Sequence, residues 1–339
     1  MGSLLRQCEE LPAGLLEEQP QALLELLGGP TLIHLAGRRE QPLFVSVLLH
    51  GNETTGVTVL QGLLRELQGR EMPRALSLFI GNVTAARDGV RRLAGQPDYN
   101  RIWPGTEQPA SPERRLMEEV FSIMRERRPF ASVDVHNNTG INPHYACINR
   151  IDHRFLHLAS LFSRTVVYFL RPRGVQSMAF AQLCPAVTVE CGKVGHSAGE
   201  EHVREFLSAC LHLSEIPAHS VAPHDVDLYH TVATVRVPRL FSFGFGDEAV
   251  DVCFVADLDH LNFRELPPGT TLAKLNGVSG MPVEAVDEQG QQVAEQFFSV
   301  EGDLLRTRRA LMPAMLTLDE RVIRQDCLGY LMERYSLPA

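Results

Sequence analysis

The hydrophobic pattern is clearest at residues 43–49, which are apolar apart from Ser46 and then break abruptly into His50-Gly51-Asn52-Glu53. A short apolar run bounded by Gly and Asn reads as a strand buried on both faces, as in a parallel sheet. The same design recurs. Residues 75–80 (ALSLFI) stop at Gly81-Asn82, residues 131–135 deliver His136 into Asn137-Asn138-Thr139-Gly140, and residues 186–189 bring Glu190 into Cys191-Gly192-Lys193. A further strand is predicted over 165–170. Helical spacing occupies 57–67, 112–127 (with Pro112 in its first turn), 152–163 and 198–213. Residues 4–27 read as short amphipathic helices interrupted at Pro12 and Pro20, their leucines packing onto the sheet. The alternation βαβαβαβ predicts an α/β fold, a largely parallel sheet covered by helices on both faces.

From about Pro223 the character changes to strand-like pieces (LYHTVATVRV, VCFVADL, LAKLNG, VEAVD) separated by turn clusters such as PPGT and DEQG. This predicts a smaller all-β domain. The boundary is placed near 220, giving domains 1–219 and 220–339.

Composition narrows the partners. Hydrophobic residues make up 44% and charged residues 22%, ordinary for a globular protein, and 339 residues suffice for a large core. A net charge of −9 argues against nucleic acid or an anionic membrane surface as partner. A small acidic substrate stays open, because salt screening lets a local cationic pocket decide. Seven scattered cysteines without a CxxC suit reduced thiols rather than a disulfide framework or a structural zinc site. The N-terminal MGSLLRQCEELPAG lacks a long apolar stretch and carries early acidic residues, so a cytoplasmic location is expected, with no membrane span. A homo-oligomer is left open.

In a parallel sheet the four polar strand ends share one edge, where open α/β sheets bind ligands. His50, Glu53 and His136 make a His2Glu set, the composition of zinc hydrolases that keep a fourth position for water. Zinc there lowers the pKa of water to about 7 and polarises a carbonyl. Glu190 stands where a general base and proton shuttle belongs. The loop between the second and third of these strands carries Arg91, Arg92 and Asp98-Tyr99-Asn100-Arg101. Arg91 and Arg101 suit a substrate bearing carboxylates, since a guanidinium forks onto a carboxylate with two parallel bonds. Asp98 is placed to orient an arginine or a ligand histidine.

The order HGNE, then GNxxA…R…DxNR, then DxHNxTG, then ECGK resembles the succinylglutamate desuccinylase/aspartoacylase family of carboxypeptidase-like zinc enzymes. The motifs span residues 43–195, with a looser likeness over 223–339. The resemblance implies a carboxypeptidase-like fold, one Zn2+ per chain held by His50, Glu53 and His136, and Glu190 activating the water. It places substrate carboxylates on Arg91, Asn100 and Arg101, with Arg91 also holding the developing oxyanion. The implied reaction is hydrolysis of the amide of a small acidic N-acyl amino acid.

The chain departs from the family in places. Asn82-Val83 replaces Asn-Pro, Tyr99 stands where Leu is usual, and either Arg91 or Arg92 can take the arginine's place. About ten residues before the general base, where aspartoacylases carry an arginine, this chain has Phe180. The acyl group and the amino acid therefore stay open. Two other functions use the same residues: a metallocarboxypeptidase acting on peptide C-termini, and a catalytically idle metal-binding protein.

Overall fold

The computed structural model describes residues 4–247 and 249–337, so the outermost residues of the two expected domains lie outside it. The chain forms two compact units. The first comprises residues 1–137, 144–168 and 172–227; the second comprises 138–143, 169–171 and 228–339.

The first unit is built on eight strands: β1 (Arg6–Cys8), β2 (Thr31–Leu35), β3 (Arg39–Val47), β4 (Arg74–Ile80), β5 (Ala131–His136), β6 (Tyr145–Ile148), β7 (Thr165–Tyr168) and β8 (Ala186–Glu190). Their order across the sheet is β1-β2-β4-β3-β5-β8-β6-β7. The central four, β4-β3-β5-β8, are mutually parallel, whereas β2 runs antiparallel to β4 and β6 antiparallel to β8. Every residue of β5 and β8 is buried, as is β3 from Pro42 onward, which is why these segments read as largely apolar runs. The expected mixed, largely parallel sheet is therefore present.

Helices α1 (Leu23–Leu27), α2 (Thr55–Leu67), α3 (Val83–Arg87), α4 (Pro112–Arg127), α5 (His153–Ser160), α6 (Gln176–Phe180) and α7 (Ser197–His212) accompany the strands. Ser111 caps α4, its hydroxyl accepting from Arg114 N at 3.1 Å, and Pro112 fills the first helical position. The first turn of α2 sits tightly on the sheet. A Cβ on Gly56 would lie 2.7 Å from Val47 Cγ1 and 3.2 Å from Val135 Cβ, so only glycine lets the helix start there.

The N-terminal stretch differs from the expected helices. Residues Arg6–Cys8 form an edge strand parallel to β2, and only five residues, Leu23–Leu27, make an α-helix. Pro12, Gly14 and Pro20 leave no segment long enough to repay helix nucleation. Arg6–Cys8 instead satisfies its backbone on the sheet edge.

The second unit carries β9 (Asp227–Arg236), β10 (Phe243–Phe245), β11 (Val252–Phe254), β12 (Thr271–Leu275), β13 (Glu284–Asp287), α8 (Ala294–Phe297), β14 (Phe298–Glu301), β15 (Leu304–Thr307), β16 (Met312–Ala314), α9 (Glu320–Gln325) and β17 (Gly329–Arg334). One five-stranded sheet runs β10-β11-β12-β15-β14; β9 pairs antiparallel with both β13 and β17. Val235, Phe254, Leu305 and Leu331 lie in the shared core. The segment 138–143 is stapled into this unit by Asn262, whose Nδ2 donates to Ile141 O at 3.1 Å and to Leu316 O at 2.8 Å.

Candidate active site

The strand β3 does not simply stop. Leu48, fully buried, takes a left-handed backbone with φ of 59°, a conformation that costs a β-carbon residue about 1–3 kcal/mol. Its carbonyl accepts from Asn82 N at 2.6 Å, so the end of β4 holds the bend. The chain then turns through His50-Gly51-Asn52-Glu53, closed by Glu53 N donating to His50 O at 3.1 Å. Gly51 N donates to Arg91 O at 3.0 Å, tying this turn to the arginine loop. The turn puts the side chains of His50 and Glu53 side by side.

His50, Glu53 and His136 come together: each offers a ligand atom within 4.8 Å of the others, and all three are buried. His50 Nδ1 lies 2.8 Å from Glu53 Oε1, and His136 Nδ1 lies 2.7 Å from Glu53 Oε2. Both imidazoles turn the opposite nitrogen to an aspartate. His50 Nε2 is 3.0 Å from Asp98 Oδ1, and His136 Nε2 is 2.8 Å from Asp134 Oδ2. Asn137 N donates to Glu53 Oε2 at 3.2 Å, so the carboxylate is held from the next residue along as well.

Arg91 is the arginine that enters. Its Nη2 donates to Asp98 Oδ2 at 2.9 Å and its Nη1 is 3.6 Å from Glu53 Oε1. Arg92 turns away, donating to Gln96 O at 2.7 Å. Asp98 thus does both things its sequence position allowed, holding a histidine and an arginine at once. Asn100 is buried, with Nδ2 donating to Asp134 Oδ2 at 3.2 Å and Oδ1 accepting from Gln176 N at 2.8 Å. Arg101 is half-buried beside it and donates to Asn100 O at 2.9 Å. Glu190 is 8% exposed and pairs in register with His136 on β5 and with Tyr145 on β6, so its side chain leaves the same face of the sheet as His136.

The charges are strongly coupled. Burial and Arg91 push the His50 pKa down, but the carboxylates of Glu53 and Asp98 outweigh them and it ends above its usual value. His136 ends well above its usual value, with Asp134 and Glu53 overcoming burial. Burial would raise Glu53, yet the two histidines hold it far below the carboxylate range. Asp98 is likewise held well below that range, against burial, first by Arg91 and then by His50. With neutral imidazoles the cluster sets the carboxylates of Glu53, Asp98 and Asp134 against the guanidinium of Arg91, with Arg101 acting on Asp98 as well. Such a site favours an added cation.

Asp134 and Ser46, which donates to Asp134 Oδ1 at 2.6 Å, are the site-adjacent residues that the sequence reading passed over. The signal was available: Asp134 and His136 are two apart in a strand and share a face. Phe180, by contrast, is core. It is fully buried and stacks on Phe44 with ring centroids 4.3 Å apart. Cys191 is no nucleophile in this setting, because burial and then the charges of Glu190 and Glu53 push its thiol well above the ordinary range.

Two imidazoles and a carboxylate gathered at the carboxyl edge of a largely parallel sheet define a class, an α/β protein with a donor set that could hold a metal ion. Residues 41–216, more than half the chain, match the succinylglutamate desuccinylase/aspartoacylase catalytic domain, and the chain belongs to that family. A succinylglutamate desuccinylase of Burkholderia cenocepacia is 26% identical over 258 residues, covering 68% of this chain and 71% of the relative. The solved structure of murine aminoacylase 3 shares the fold with a TM-score of 0.58 at 16% identity, covering 89% of this chain and 98% of that one. That of the Chromobacterium violaceum succinylglutamate desuccinylase does so with a TM-score of 0.57 at 18% identity, covering 89% and 87%.

Proposed function

We propose that this chain is a zinc-dependent hydrolase of the amide bond of a small, acidic N-acyl amino acid, acting in the cytoplasm. The observation that carries the reading is the convergence of His50 Nδ1, His136 Nδ1 and the Glu53 carboxylate, with both Nε2 atoms backed by aspartates. Neutral imidazole and carboxylate are zinc donors, aspartate behind histidine is the usual support of such a ligand, and the surplus negative charge welcomes the ion. These residues therefore fit one zinc per chain, held by His50, Glu53 and His136. A zinc ion there supplies Lewis-acid polarisation of the amide carbonyl and a water of lowered pKa.

In this reading Glu190 accepts the proton of the attacking water and returns it to the departing nitrogen, so that the amide and one water become a carboxylate and an amine. Arg91, fixed by Asp98, faces the negative charge that develops on the carbonyl oxygen. Arg101 binds the substrate carboxylate, while Asn100, whose amide is committed to Asp134, His136 and Gln176, holds the loop beneath it in place. Family membership and the names of the relatives, desuccinylases and an aminoacylase, support N-acyl amino acids as the substrate class.

The test is metal analysis of the purified protein, followed by a screen of N-acetyl and N-succinyl amino acids for amine release. Glu190→Gln is expected to lower kcat about 10²–10⁴-fold with zinc content unchanged. Full activity in that variant removes Glu190 from the scheme. Release of C-terminal residues from peptides, with N-acyl amino acids untouched, replaces the reading by a carboxypeptidase.

A further inference from the structure

One polar side chain interrupts the buried run of β3, and the proposed reaction makes no use of it. Ser46 is fully buried, and a hydroxyl so placed must find an acceptor. It donates to Asp134 Oδ1 on the neighbouring strand β5 at 2.6 Å, and Asp134 is fully buried as well. The other oxygen of that carboxylate accepts from Asn100 Nδ2 at 3.2 Å and faces His136 Nε2 at 2.8 Å. Donors from two separate segments thus converge on the one carboxylate that stands behind His136.

The consequence concerns which nitrogen of His136 carries the proton. A carboxylate only accepts, and Glu53 faces Nδ1 as Asp134 faces Nε2, so a cation shared by Glu53 and Nδ1 needs the ring proton on Nε2, where Asp134 accepts it. Asn100 pulls the other way: its Nδ2 also lies 3.0 Å from His136 Nε2, and an amide donor there favours the proton on Nδ1. A charge-assisted bond is roughly twice as strong as a neutral one, so Asp134 prevails while it stays aimed. Ser46, holding the far oxygen, keeps it aimed.

We infer that Ser46 and Asp134 form a positioning relay that fixes the tautomer and orientation of His136, so that a hydroxyl inside the central strand helps to set the affinity for the cation. The inference rests on the metal reading above. Asp134→Asn can still accept from Ser46 while presenting an amide donor to His136 Nε2, and so favours the wrong tautomer.

The experiment is chelator competition for zinc on the full-length protein, alongside the thermal midpoint of the metal-free form. Asp134→Asn is expected to bind zinc about 10–100-fold more weakly, and Ser46→Ala about 3–10-fold more weakly. Ser46→Thr, which keeps the hydroxyl, should stay close to the unmutated protein. Unchanged zinc affinity in both Asp134→Asn and Ser46→Ala overturns the relay, even if the metal-free midpoint falls, because the two residues then only pack. Absence of a one-to-one zinc site in the unmutated protein overturns the metal reading itself, and is recognised before any variant is made.

Discussion

Among single side chains, the two arginines of the loop have separable tasks. Arg91 is tied to Asp98 and Glu53, next to where chemistry is proposed, whereas Arg101 donates to Asn100 O and acts on Asp98 through its charge. A guanidinium that grips a carboxylate equally in the ground state and the transition state changes KM and leaves kcat alone. With about 1.5–3 kcal/mol per charge-assisted bond, Arg101→Ala should raise KM for acidic substrates roughly 10–100-fold. Steady-state kinetics on an N-acyl aspartate or glutamate decides it; an unmoved KM places the substrate carboxylate elsewhere. His50, Glu53 and His136 could be grouped from the sequence because the polar stretches that carry them directly follow apolar runs. Ser46 and Asp134 were visible as polar interruptions but received no role, because which strand Ser46 faces is settled only when the neighbouring strand is known. Arg91 and Arg92 could not be separated either, since a loop has no period to say which side chain faces inward.

For the secondary-structure elements, close backbone approach fixes the turn that carries His50 and Glu53. A Cβ on Gly51 would lie 2.3 Å from both Ala85 C and Ala86 N in the backbone of α3, which cannot yield as a side-chain tip could. Gly51→Ala should destabilise by about 1–3 kcal/mol or more and lower the zinc content with it. Gly62 makes the contrast, because it lies inside α2 with nothing within 4 Å of an added Cβ. Gly62→Ala should stabilise by about 0.5–1 kcal/mol through helix propensity. Denaturation midpoints check both; a neutral Gly51→Ala means the turn has room to shift.

The strand β2, which lies between β1 and β4 and which the sequence reading did not separate from its surroundings, carries a titration of its own. Burial, and then Arg127, push His34 down to about 4, and its Nδ1 bonds Ser77 Oγ at 2.9 Å. The unfolded chain takes up this proton near 6.5 and the folded chain near 4, so stability is complete above about 6.5 and is lost as pH falls toward 4. The loss should be on the order of 2 kcal/mol. Urea midpoints of the metal-free protein between pH 7 and 4.5 should fall less steeply in His34→Gln. Equal slopes mean the ring is already charged in the fold. The β2 strand and β6 were hard to see for the same reason: each is short and holds a histidine or cysteine among apolar residues.

At the scale of the molecule, the compact units are not two consecutive stretches of chain. Segments 138–143 and 169–171 belong with 228–339, and the first of them begins two residues after His136. It is held there by specific bonds. Asn262 joins Ile141 O to Leu316 through both its amide atoms, Asn142 Oδ1 accepts from Met315 N at 3.0 Å, and Thr139 Oγ1 donates to Thr317 Oγ1 at 2.9 Å. Six residues carry no periodic signal, so a change of composition near 220 is legible in sequence whereas this insertion is not. A fragment of residues 1–219 would contain the whole His2Glu set, yet 138–143 would lose every one of those partners. Water then replaces those partners, so each lost bond removes a net stabilisation of about 0.5–1.5 kcal/mol, against a total stability of about 5–15 kcal/mol. The fragment should therefore be poorly soluble or, if soluble, exchange the amides of 138–143 rapidly and bind zinc far more weakly than the full chain. Hydrogen exchange and chelator competition measure both. A fragment that binds zinc as tightly as the full chain would show that the strand ends alone hold His136 in place, with the anchored segment contributing nothing to the site.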